Sequence, residues 1–296
     1  LLSDDEVKNT HVEKQGHGYP KAEGKFDYFA HETYTSNGTE YNYLYWEGET
    51  NARFDFSKGL GQNFLTNPDV LDSIAAAACG TEGVLEIGPG FGVLTKKLAQ
   101  SFEKVVTVEL DKSLLPVLDY TLSDFDNVRI INADFMKLDL NDVLKNEFDS
   151  KKISVAANLP YYITTPIITS LIEGRYSIDN IVVMVQKEVA ERFCADPGTK
   201  EYGAISVLCR YYTVPEIICT VPSCDFYPSP KVDSAVVRLK VSDKPNTFTH
   251  DEKLFFKVVK ASFAQRRKTL HNCLSNGLKL DKKTAGDVLA QAGIEP

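Results

Sequence analysis

The sequence predicts an α/β protein with a mostly parallel sheet and a small helical domain at its end. From about residue 83, apolar segments typical of buried strands alternate with amphipathic segments typical of helices. This alternation indicates βαβ units, in which helices cover both faces of a parallel sheet. After Pro245 the pattern is helical only, with an apolar stripe formed by Phe255, Phe256, Val259 and Phe263. We therefore divide the chain into residues 1–50, 51–245 and 246–296.

The elements of the middle part can be assigned one by one from apolar runs and their spacing. Strands are predicted at 83–88, 104–108, 127–131, 152–157, 179–185, 204–212 and 233–240. Helices are predicted at 91–101, 112–121, 140–147, 165–173 and 187–195. In the first fifty residues, 26–35 and 40–46 alternate aromatic and polar residues around Asn37-Gly38, a dipeptide typical of hairpin turns. We predict a β-hairpin there.

Composition excludes several classes of protein. Hydrophobic residues make up 43% and charged residues 25% of the chain, which is typical of a globular protein and not of a disordered or fibrous one. No apolar run approaches the roughly 18 residues of a membrane span. The six cysteines form no C-x-x-C pair, so we expect reduced thiols and no metal site. We expect a monomeric cytoplasmic protein without a membrane partner, whose amino terminus lies upstream of Leu1.

Charge is distributed unevenly along the chain. The net charge of −8 argues against a nucleic-acid partner when it is taken as a whole. However, residues 1–50 hold four lysines against ten acidic residues, whereas 224–280 hold eleven Lys and Arg against five. A cluster of positive charge in one region is what phosphate binding requires. The late part of the chain is therefore the candidate for contacts with a nucleic acid.

Glycines follow the first predicted strand. Gly88, Gly90 and Gly92 stand between a strand and a helix, where backbone can approach a ligand closely. The dinucleotide fingerprint would require a third glycine at Val93, which argues against an NAD-dependent oxidoreductase. Glu109 ends the second strand and is suited to accept hydrogen bonds from ribose hydroxyls. Together these residues predict a nucleoside-containing cofactor.

Polar residues also follow the third and fourth strands. Asp134 can accept a hydrogen bond from an adenine amino group, or it can cap the segment that follows it. The fourth strand is followed by Asn158-Leu159-Pro160-Tyr161. Because Leu159 precedes proline, its backbone is extended, and its carbonyl could point together with the Asn158 side-chain oxygen. Seen alone, this tetrapeptide is more typical of a simple turn than of a binding site.

Two acceptors beside an aromatic ring suit the exocyclic amine of a flat base. An adenine amine is a weak nucleophile because its lone pair is delocalised into the ring. Acceptors for its two hydrogens would help it attack an electrophile that is already activated, such as a sulfonium methyl group. Such a reaction needs no general base of matched pKa, consistent with the lack of His or Cys in these motifs.

At these residues the chain resembles the KsgA/RsmA family of small-subunit rRNA adenine dimethyltransferases. The resemblance extends from residue 54 to residue 296, with the motifs in the family's order. The matching stretches are 57–65 (SKGLGQNFL), 85–92 (LEIGPGFG), 158–161 (NLPY), 186–193 (QKEVAERF), 202–203 (YG), 226–234 (FYPSPKVDS) and 262–270 (SFAQRRKTL). It implies a Rossmann-like methyltransferase fold with a seven-stranded sheet and a small helical domain.

The resemblance also implies a cofactor and a set of site residues. The cofactor is S-adenosylmethionine (SAM), and no metal is implied. SAM contacts are implied for Asn63, Leu65, Gly88, Gly90, Glu109, Asp134 and Asn158. Asn158 and the Leu159 carbonyl would hold the target amine at the Pro160 turn, and Tyr161 and Phe226 would stack on a flipped-out adenine. RNA contacts are expected from Lys257, Lys260, Arg266, Arg267 and Lys268.

The implied reaction is dimethylation of two adjacent adenosines in a hairpin loop near the 3′ end of small-subunit rRNA, coupled to assembly of that subunit. One alternative is an Erm-type enzyme that methylates large-subunit rRNA, and another is a nonenzymatic assembly factor on the same fold. Residues 1–50 match nothing in the family, and the family continues beyond Pro296, so we expect a truncated carboxyl end. We also expect Lys257, Lys260, Arg267, Lys268 and His271 to lie along one side of a helix.

Overall fold

The computed structural model describes most of the chain after residue 62 and short strands before it. The described ranges are 13–15, 29–36, 39–46, 53–55, 63–65, 67–227, 229–265 and 267–295. The chain divides into two units, Leu1–Gln62 and Asn63–Pro296.

The first unit contains a four-stranded antiparallel sheet. Its strands are, in sheet order, β1 (Glu13–Gln15), β2 (Phe29–Ser36), β3 (Thr39–Trp46) and β4 (Arg53–Asp55). Strands β2 and β3 correspond to the two alternating segments of the predicted hairpin, and Ser36 pairs with Thr39. The turn residues, 37 and 38, lie outside the described residues.

The second unit is built on a seven-stranded sheet, as the sequence predicts. The strands of this unit are β5 (Phe64–Leu65), β6 (Gly83–Ile87), β7 (Lys104–Glu109), β8 (Val128–Asn132), β9 (Ile153–Asn158), β10 (Ile178–Gln186), β11 (Thr213–Val221), β12 (Phe226–Tyr227) and β13 (Ser234–Val241). The sheet order is β11-β13-β10-β9-β6-β7-β8, and β5 pairs with β12 separately. Strands β10, β9, β6, β7 and β8 are parallel, whereas β13 and β11 are antiparallel to their neighbours.

Ten helices in the described residues of this unit surround the sheet and form the end of the chain. They are α1 (Pro68–Ala78), α2 (Val93–Ser101), α3 (Leu115–Thr121), α4 (Leu140–Phe148), α5 (Thr164–Glu173), α6 (Lys187–Cys194), α7 (Ala204–Tyr212), α8 (Glu252–Phe263), α9 (Leu270–Gly277) and α10 (Lys282–Gln291). Successive residues of a strand point to opposite faces. Accordingly, Val84 belongs to the apolar cluster that includes Ile74, whereas Leu85 belongs to the cluster that includes Ile168. Both faces of the sheet are therefore covered by helices.

One predicted strand is wrong. Residues 204–212 form helix α7, and the strand lies just after it, at Thr213–Val221. A short apolar run is compatible with either structure, and here the hydrogen bonds at its start favour the helix. The backbone N–H of Gly203 donates to the Ser206 hydroxyl at 3.0 Å, and that hydroxyl donates to the carbonyl of Arg192. Leu208 and Tyr212, one helical turn apart, are both buried.

Helix α1 was not predicted from the sequence, although its start carries recognisable signals. Asn67 caps the helix, and its side chain accepts a hydrogen bond from the backbone N–H of Asp69 at 3.0 Å. Pro68 occupies the first helical position, where its missing N–H costs nothing. Ile74, on the buried side of this helix, is fully buried.

The carboxyl-terminal helices form a small apolar cluster of their own and also pack on the sheet domain. Ala261, Leu274 and Leu289 form the cluster, one residue from each helix. The rings of Tyr211 and Phe255 stack with centroids 5.2 Å apart, and those of Tyr212 and Phe256 stack at 5.7 Å. These aromatic contacts attach α8 to α7 and therefore to the sheet domain.

The predicted single basic helix is wrong. Helix α8 ends at Phe263, and Thr269 caps the next helix through its side-chain oxygen. Arg267 and Lys268 therefore lie in the turn between two helices, and His271 lies in α9. A β-hydroxyl that can accept from the N–H three residues later favours a new helix start over continuation.

Candidate active site

Four neighbouring parallel strands carry the predicted site residues at one edge of the sheet. Gly88 follows β6, Glu109 ends β7, Asp134 follows β8 and Asn158 ends β9. In register, Ile87 lies between partners on β7 and β9. The carboxyl ends of parallel strands are where open α/β sheets bind ligands. The fold thus brings together residues that are distant in the sequence.

The glycine loop after β6 leaves its backbone accessible. Gly88 donates its N–H to the carbonyl of Val108 at 2.9 Å, and its φ of +71° favours glycine over other residues. A Cβ placed on Gly88 would meet no heavy atom within 4 Å. Gly92 differs, because a Cβ there would lie 3.2 Å from the Leu118 side chain. Gly88 therefore leaves room for a ligand, and Gly92 permits helix packing.

The Glu109 carboxylate is held by backbone donors of the surrounding loops. Its Oε1 accepts from the N–H of Asp111 at 2.8 Å and its Oε2 from the N–H of Gly90 at 3.3 Å. Its side chain is buried, and burial raises its pKa, while these two hydrogen bonds act against that rise. A carboxylate oxygen can accept more than one hydrogen bond. Glu109 therefore still has capacity to accept from a pair of hydroxyls.

A second carboxyl group, Glu86, lies within β6 and was not among the predicted site residues. It is 1% exposed, and its Oε2 accepts from the Thr95 hydroxyl at 2.6 Å. Burial, opposed by this hydrogen bond, raises its pKa to about 7. The signal in the sequence is a single acidic residue inside the apolar segment 83–87. Glu86 ties the strand before the glycine loop to the helix after it.

Asp134 caps the short helical turn that follows β8, the alternative that the sequence left open. Its Oδ1 accepts from the N–H of Met136 at 3.0 Å, and its Oδ2 lies 3.2 Å from the Lys137 ammonium. Asp134 is half-buried, and Phe135 packs partly against the core. The capping role leaves acceptor capacity on the carboxylate for a ligand.

The Asn158 side chain has a defined orientation. Its Nδ2 donates to the backbone carbonyl of Asn63 at 3.1 Å. Because the nitrogen is used in this way, the Oδ1 oxygen is the part of the amide that remains to accept from a substrate. Asn158 is half-buried at the end of β9.

The next residues turn the chain into helix α5. Leu159 is buried and donates its N–H to the carbonyl of Met184 at 3.4 Å. The carbonyl of Pro160 accepts from the N–H of Ile163 and from the Thr164 hydroxyl, both at 3.2 Å. Within the described part of the chain, the carbonyl of Leu159 receives no such backbone hydrogen bond. The two acceptors expected from the sequence, the Asn158 side-chain oxygen and the Leu159 carbonyl, stay a prediction.

The two predicted stacking residues lie in different surroundings. Tyr161 is half-buried, and its hydroxyl lies 2.8 Å from the Ser234 hydroxyl. Phe226 is only 3% exposed and pairs with Leu65 across β12 and β5. Leu65 is buried in the same apolar cluster. Tyr161 therefore keeps part of its surface accessible, whereas Phe226 is almost fully enclosed in the core, and stacking of either ring on a base stays a prediction.

The predicted RNA contacts lie in the carboxyl-terminal part of the chain. Lys257 and Lys260 are exposed on α8, and the Lys260 ammonium lies 3.7 Å from Glu173. Arg267 and Lys268 are exposed in the turn before α9. Arg266 lies outside the described residues. The described basic residues therefore occupy one helix and the turn after it.

Several other kinds of site are not found in the described residues. No group of three metal-ligating side chains occurs among them, and none of their helices is long and apolar enough to cross a membrane. The six cysteines, all within these ranges, are free thiols.

Known proteins resemble this chain along most of its length. The family model described as ribosomal RNA adenine dimethylase matches residues 53–293. The chain is 49% identical over 249 residues to ribosomal RNA small subunit methyltransferase A of Bacillus mycoides, covering 82% of this chain and 85% of that protein. The corresponding protein of Alkaliphilus oremlandii is 46% identical over 245 residues, with the same coverage of both chains.

Solved structures agree with the fold. A dimethyladenosine transferase from Plasmodium falciparum is 28% identical with a TM-score of 0.62, covering 79% of this chain and 83% of that one. The 23S rRNA methyltransferase ErmE is 26% identical with a TM-score of 0.62, covering 78% and 90%. The match to the family model and the identity to these relatives lead to one conclusion: the chain belongs to the ribosomal RNA adenine dimethylase family.

Proposed function

We propose that this protein uses SAM to dimethylate the exocyclic amines of two adjacent adenosines in a hairpin loop near the 3′ end of small-subunit rRNA, during assembly of that subunit. The observation that carries this proposal is the Asn158 amide, whose nitrogen is bound to Asn63 while its oxygen remains to accept from an amine. The family and the names of the most similar relatives support rRNA as the substrate class.

The residues at the carboxyl ends of β6, β7 and β8 fit SAM. The open space at Gly88 admits a ligand next to the backbone, and the Glu109 carboxylate has acceptor capacity for two ribose hydroxyls. Asp134 can accept from an adenine amino group in addition to its capping bond. When bound, SAM would supply an electrophilic methyl group. Asn63, Leu65 and Gly90 complete the proposed binding site.

The Asn158–Tyr161 turn would activate the target base by position alone. The Asn158 oxygen and the Leu159 carbonyl would each accept one hydrogen of the amine, which favours the pyramidal geometry needed for attack. The Tyr161 and Phe226 rings would stack on the flipped-out adenine, and Pro160 would fix the turn. Holding acceptors in advance avoids reorganisation at the moment of reaction.

RNA docking is assigned to the carboxyl-terminal helices. Lys257, Lys260, Arg266, Arg267 and Lys268 would contact phosphates, so residues 246–296 would dock the particle while residues 51–245 carry out methyl transfer. The aromatic contacts between α7 and α8 would hold these two regions in a fixed relation. Phosphate contacts position a protein without reading sequence, so specificity must come from the flipped base and the shape of the RNA.

Three alternatives are disfavoured by specific observations. The small-subunit relatives are 46% and 49% identical, whereas the large-subunit enzyme ErmE is 26% identical. A nonenzymatic assembly factor has no need of the Asn158–Tyr161 turn, which is intact here. An oxidoreductase would require a dinucleotide fingerprint that Val93 breaks.

The test is transfer of labelled methyl groups from SAM to unmethylated small-subunit particles, naked small-subunit rRNA and large-subunit rRNA, each assayed separately. We expect label in dimethyladenosine from the small-subunit particles. Label only in large-subunit rRNA would support the Erm-type alternative. Binding to particles without any transfer would support the nonenzymatic one.

A further inference from the structure

The hydroxyl of Tyr161 contacts a residue at the start of β13, a strand that lies between β11 and β10 in the sheet. Its oxygen lies 2.8 Å from the Ser234 hydroxyl, and either group can donate. Ser234 is fully buried and begins β13. It pairs with Gln186 of β10 on one side and with Val221 of β11 on the other. Ser234 is therefore a rigid anchor.

Asp233, the residue before Ser234, also holds the start of β13 in place. The Asp233 carbonyl accepts from the N–H of Lys187 at 3.0 Å, and its Oδ1 accepts from the N–H of Ser223 at 3.0 Å. These two bonds connect the start of β13 to the start of α6 and to the loop after β11. The backbone at Ser234 is consequently held by its two neighbouring strands and by both hydrogen bonds of Asp233. Such support is what a site requires if a side chain is to be held within a fraction of an ångström.

Tyr161, by contrast, lies in a turn and not in a regular element. It is half-buried, so part of its surface remains accessible to a ligand. A tyrosine ring that is free to rotate about its two side-chain torsions would present its face to a base in only some of its conformations. A hydrogen bond at the far end of the ring restricts both torsions. Partial burial raises the pKa of the phenol, so the hydroxyl remains protonated and able to donate.

We propose that Ser234 is a positioning residue for methyl transfer: its hydroxyl fixes the Tyr161 ring beside the Asn158 and Leu159 acceptors, so that a flipped-out adenine stacks in the orientation that directs its amine to them. The inference rests on the proposed function, and it adds a residue from a distant strand to the base-binding site. Ser234 itself would touch neither the base nor the cofactor.

The test compares Ser234→Ala, Tyr161→Phe and the double variant in single-turnover methyl transfer to small-subunit particles. Each single variant removes the same hydrogen bond, so we expect each to slow transfer by about two- to tenfold. The double variant should be no slower than Tyr161→Phe alone, because only one interaction is lost. SAM affinity and particle affinity should stay at the wild-type values.

Ser234→Thr serves as the conservative variant, since it keeps the hydroxyl and suits a strand. We expect Ser234→Thr to transfer methyl groups at close to the wild-type rate. Thermal melting of each variant shows whether a lower rate comes from misfolding and not from a displaced Tyr161 ring. Tyr161→Phe removes the bond from the partly exposed side, so it tests the proposal even if changes at the buried Ser234 prevent folding. A wild-type rate in Tyr161→Phe, or losses that multiply in the double variant, would overturn the proposal.

Failure of the proposed function would look different. If the wild-type protein transfers no methyl group to any RNA, the proposed function fails, and the role of Ser234 fails with it. If the wild type is active and the single variants match it, only the role of Ser234 is wrong.

Discussion

The side-chain nitrogen of Asn158 donates to the backbone carbonyl of Asn63, 95 positions earlier in the chain, at 3.1 Å. This bond decides which end of the amide faces the site. An asparagine amide can be turned in two ways, and only one of them presents an acceptor to an incoming amine. The segment that precedes helix α1 therefore sets the orientation of the Asn158 amide at the end of β9.

We predict that Asn158→Ala slows methyl transfer by on the order of a hundredfold, the cost of losing one preorganised polar group at a reacting atom. Binding of the particle should change little, because the acceptor acts mainly on the amine as it becomes pyramidal. Single-turnover rates with saturating particle measure the effect. Asn141→Ala, at an exposed position of α4, is the matched control. A near wild-type rate in Asn158→Ala would exclude the two-acceptor mechanism.

Glu109→Ala should weaken SAM binding by about 1.5–3 kcal/mol, because charge-assisted hydrogen bonds to the ribose are lost. Glu103→Ala removes an exposed acidic residue next to the opposite end of the same strand and should leave SAM affinity unchanged. Isothermal titration of both variants provides the comparison. Equal affinities in two folded variants would remove Glu109 from the cofactor site.

The raised pKa of Glu86 predicts a pH-dependent stability. The pKa is about 7 in the folded protein against an ordinary value of 4.5, so the folded state keeps its proton where the unfolded state has lost it. The stability that comes from keeping Glu86 protonated is fully present below pH 4.5 and is lost as the pH rises through about 7. A shift of this size corresponds to about 3 kcal/mol.

Glu86→Gln should abolish that part of the pH dependence, because the amide does not titrate. Its free energy of unfolding, measured in denaturant at several pH values, should rise relative to the wild type between pH 5 and about pH 8. Glu103→Gln, which removes an exposed carboxyl group, should follow the wild-type curve. Parallel curves for wild type and Glu86→Gln would show that Glu86 titrates normally.

Reversing Arg267 and Lys268 to Glu should weaken particle binding and flatten its dependence on salt by about one unit per lost phosphate contact. SAM affinity should not change, because the proposed cofactor site lies at the strand ends. Lys145→Glu with Lys151→Glu makes the same change in net charge on the sheet domain, at exposed positions. If both double variants lower the slope equally, the effect is one of net charge and the turn before α9 does not dock RNA.

Two glycines in the carboxyl-terminal helices should respond in opposite directions to alanine. At Gly277 a Cβ would lie 2.5 Å from the Cβ of Ala261, so Gly277→Ala should destabilise the packing of α8 on α9 by about 1–3 kcal/mol. At Gly286 the nearest atom would be 3.8 Å away, on His271. Gly286→Ala should therefore stabilise α10 by roughly 0.5–1 kcal/mol. Thermal melting of the two variants checks both signs, and a stabilised Gly277→Ala would contradict the close packing of these helices.

The sequence by itself determined most strands of the sheet and which polar residues follow the parallel ones. Buried parallel strands read as apolar runs of characteristic length, and the residues that follow them must lie at one edge. For this reason the sequence alone predicts that one edge of the sheet holds Gly88, Glu109, Asp134 and Asn158. The fold class followed from the same alternation of strands and helices.

Local patterns failed where two structures fit the same residues. Residues 204–212 are apolar enough for a strand, and the bonds at Gly203 and Ser206 favour the helix. The basic residues after Phe263 have helical spacing, yet Thr269 starts a new helix and places Arg267 in a turn. Periodic spacing of residues predicts one shared helix face only if the helix continues through all of them. A capping residue such as Thr269 starts a new helix and so interrupts the face.

Tertiary structure alone decided which polar atoms meet. The bonds from Asn158 to Asn63 and from Tyr161 to Ser234 join residues 95 and 73 positions apart, and no local pattern encodes such pairs. The near-complete burial of Phe226 and the raised pKa of Glu86 likewise depend on what packs around them. Strand periodicity fixes which residues reach the edge of the sheet, but hydrogen-bond partners depend on distances between elements, which exist only in the folded chain.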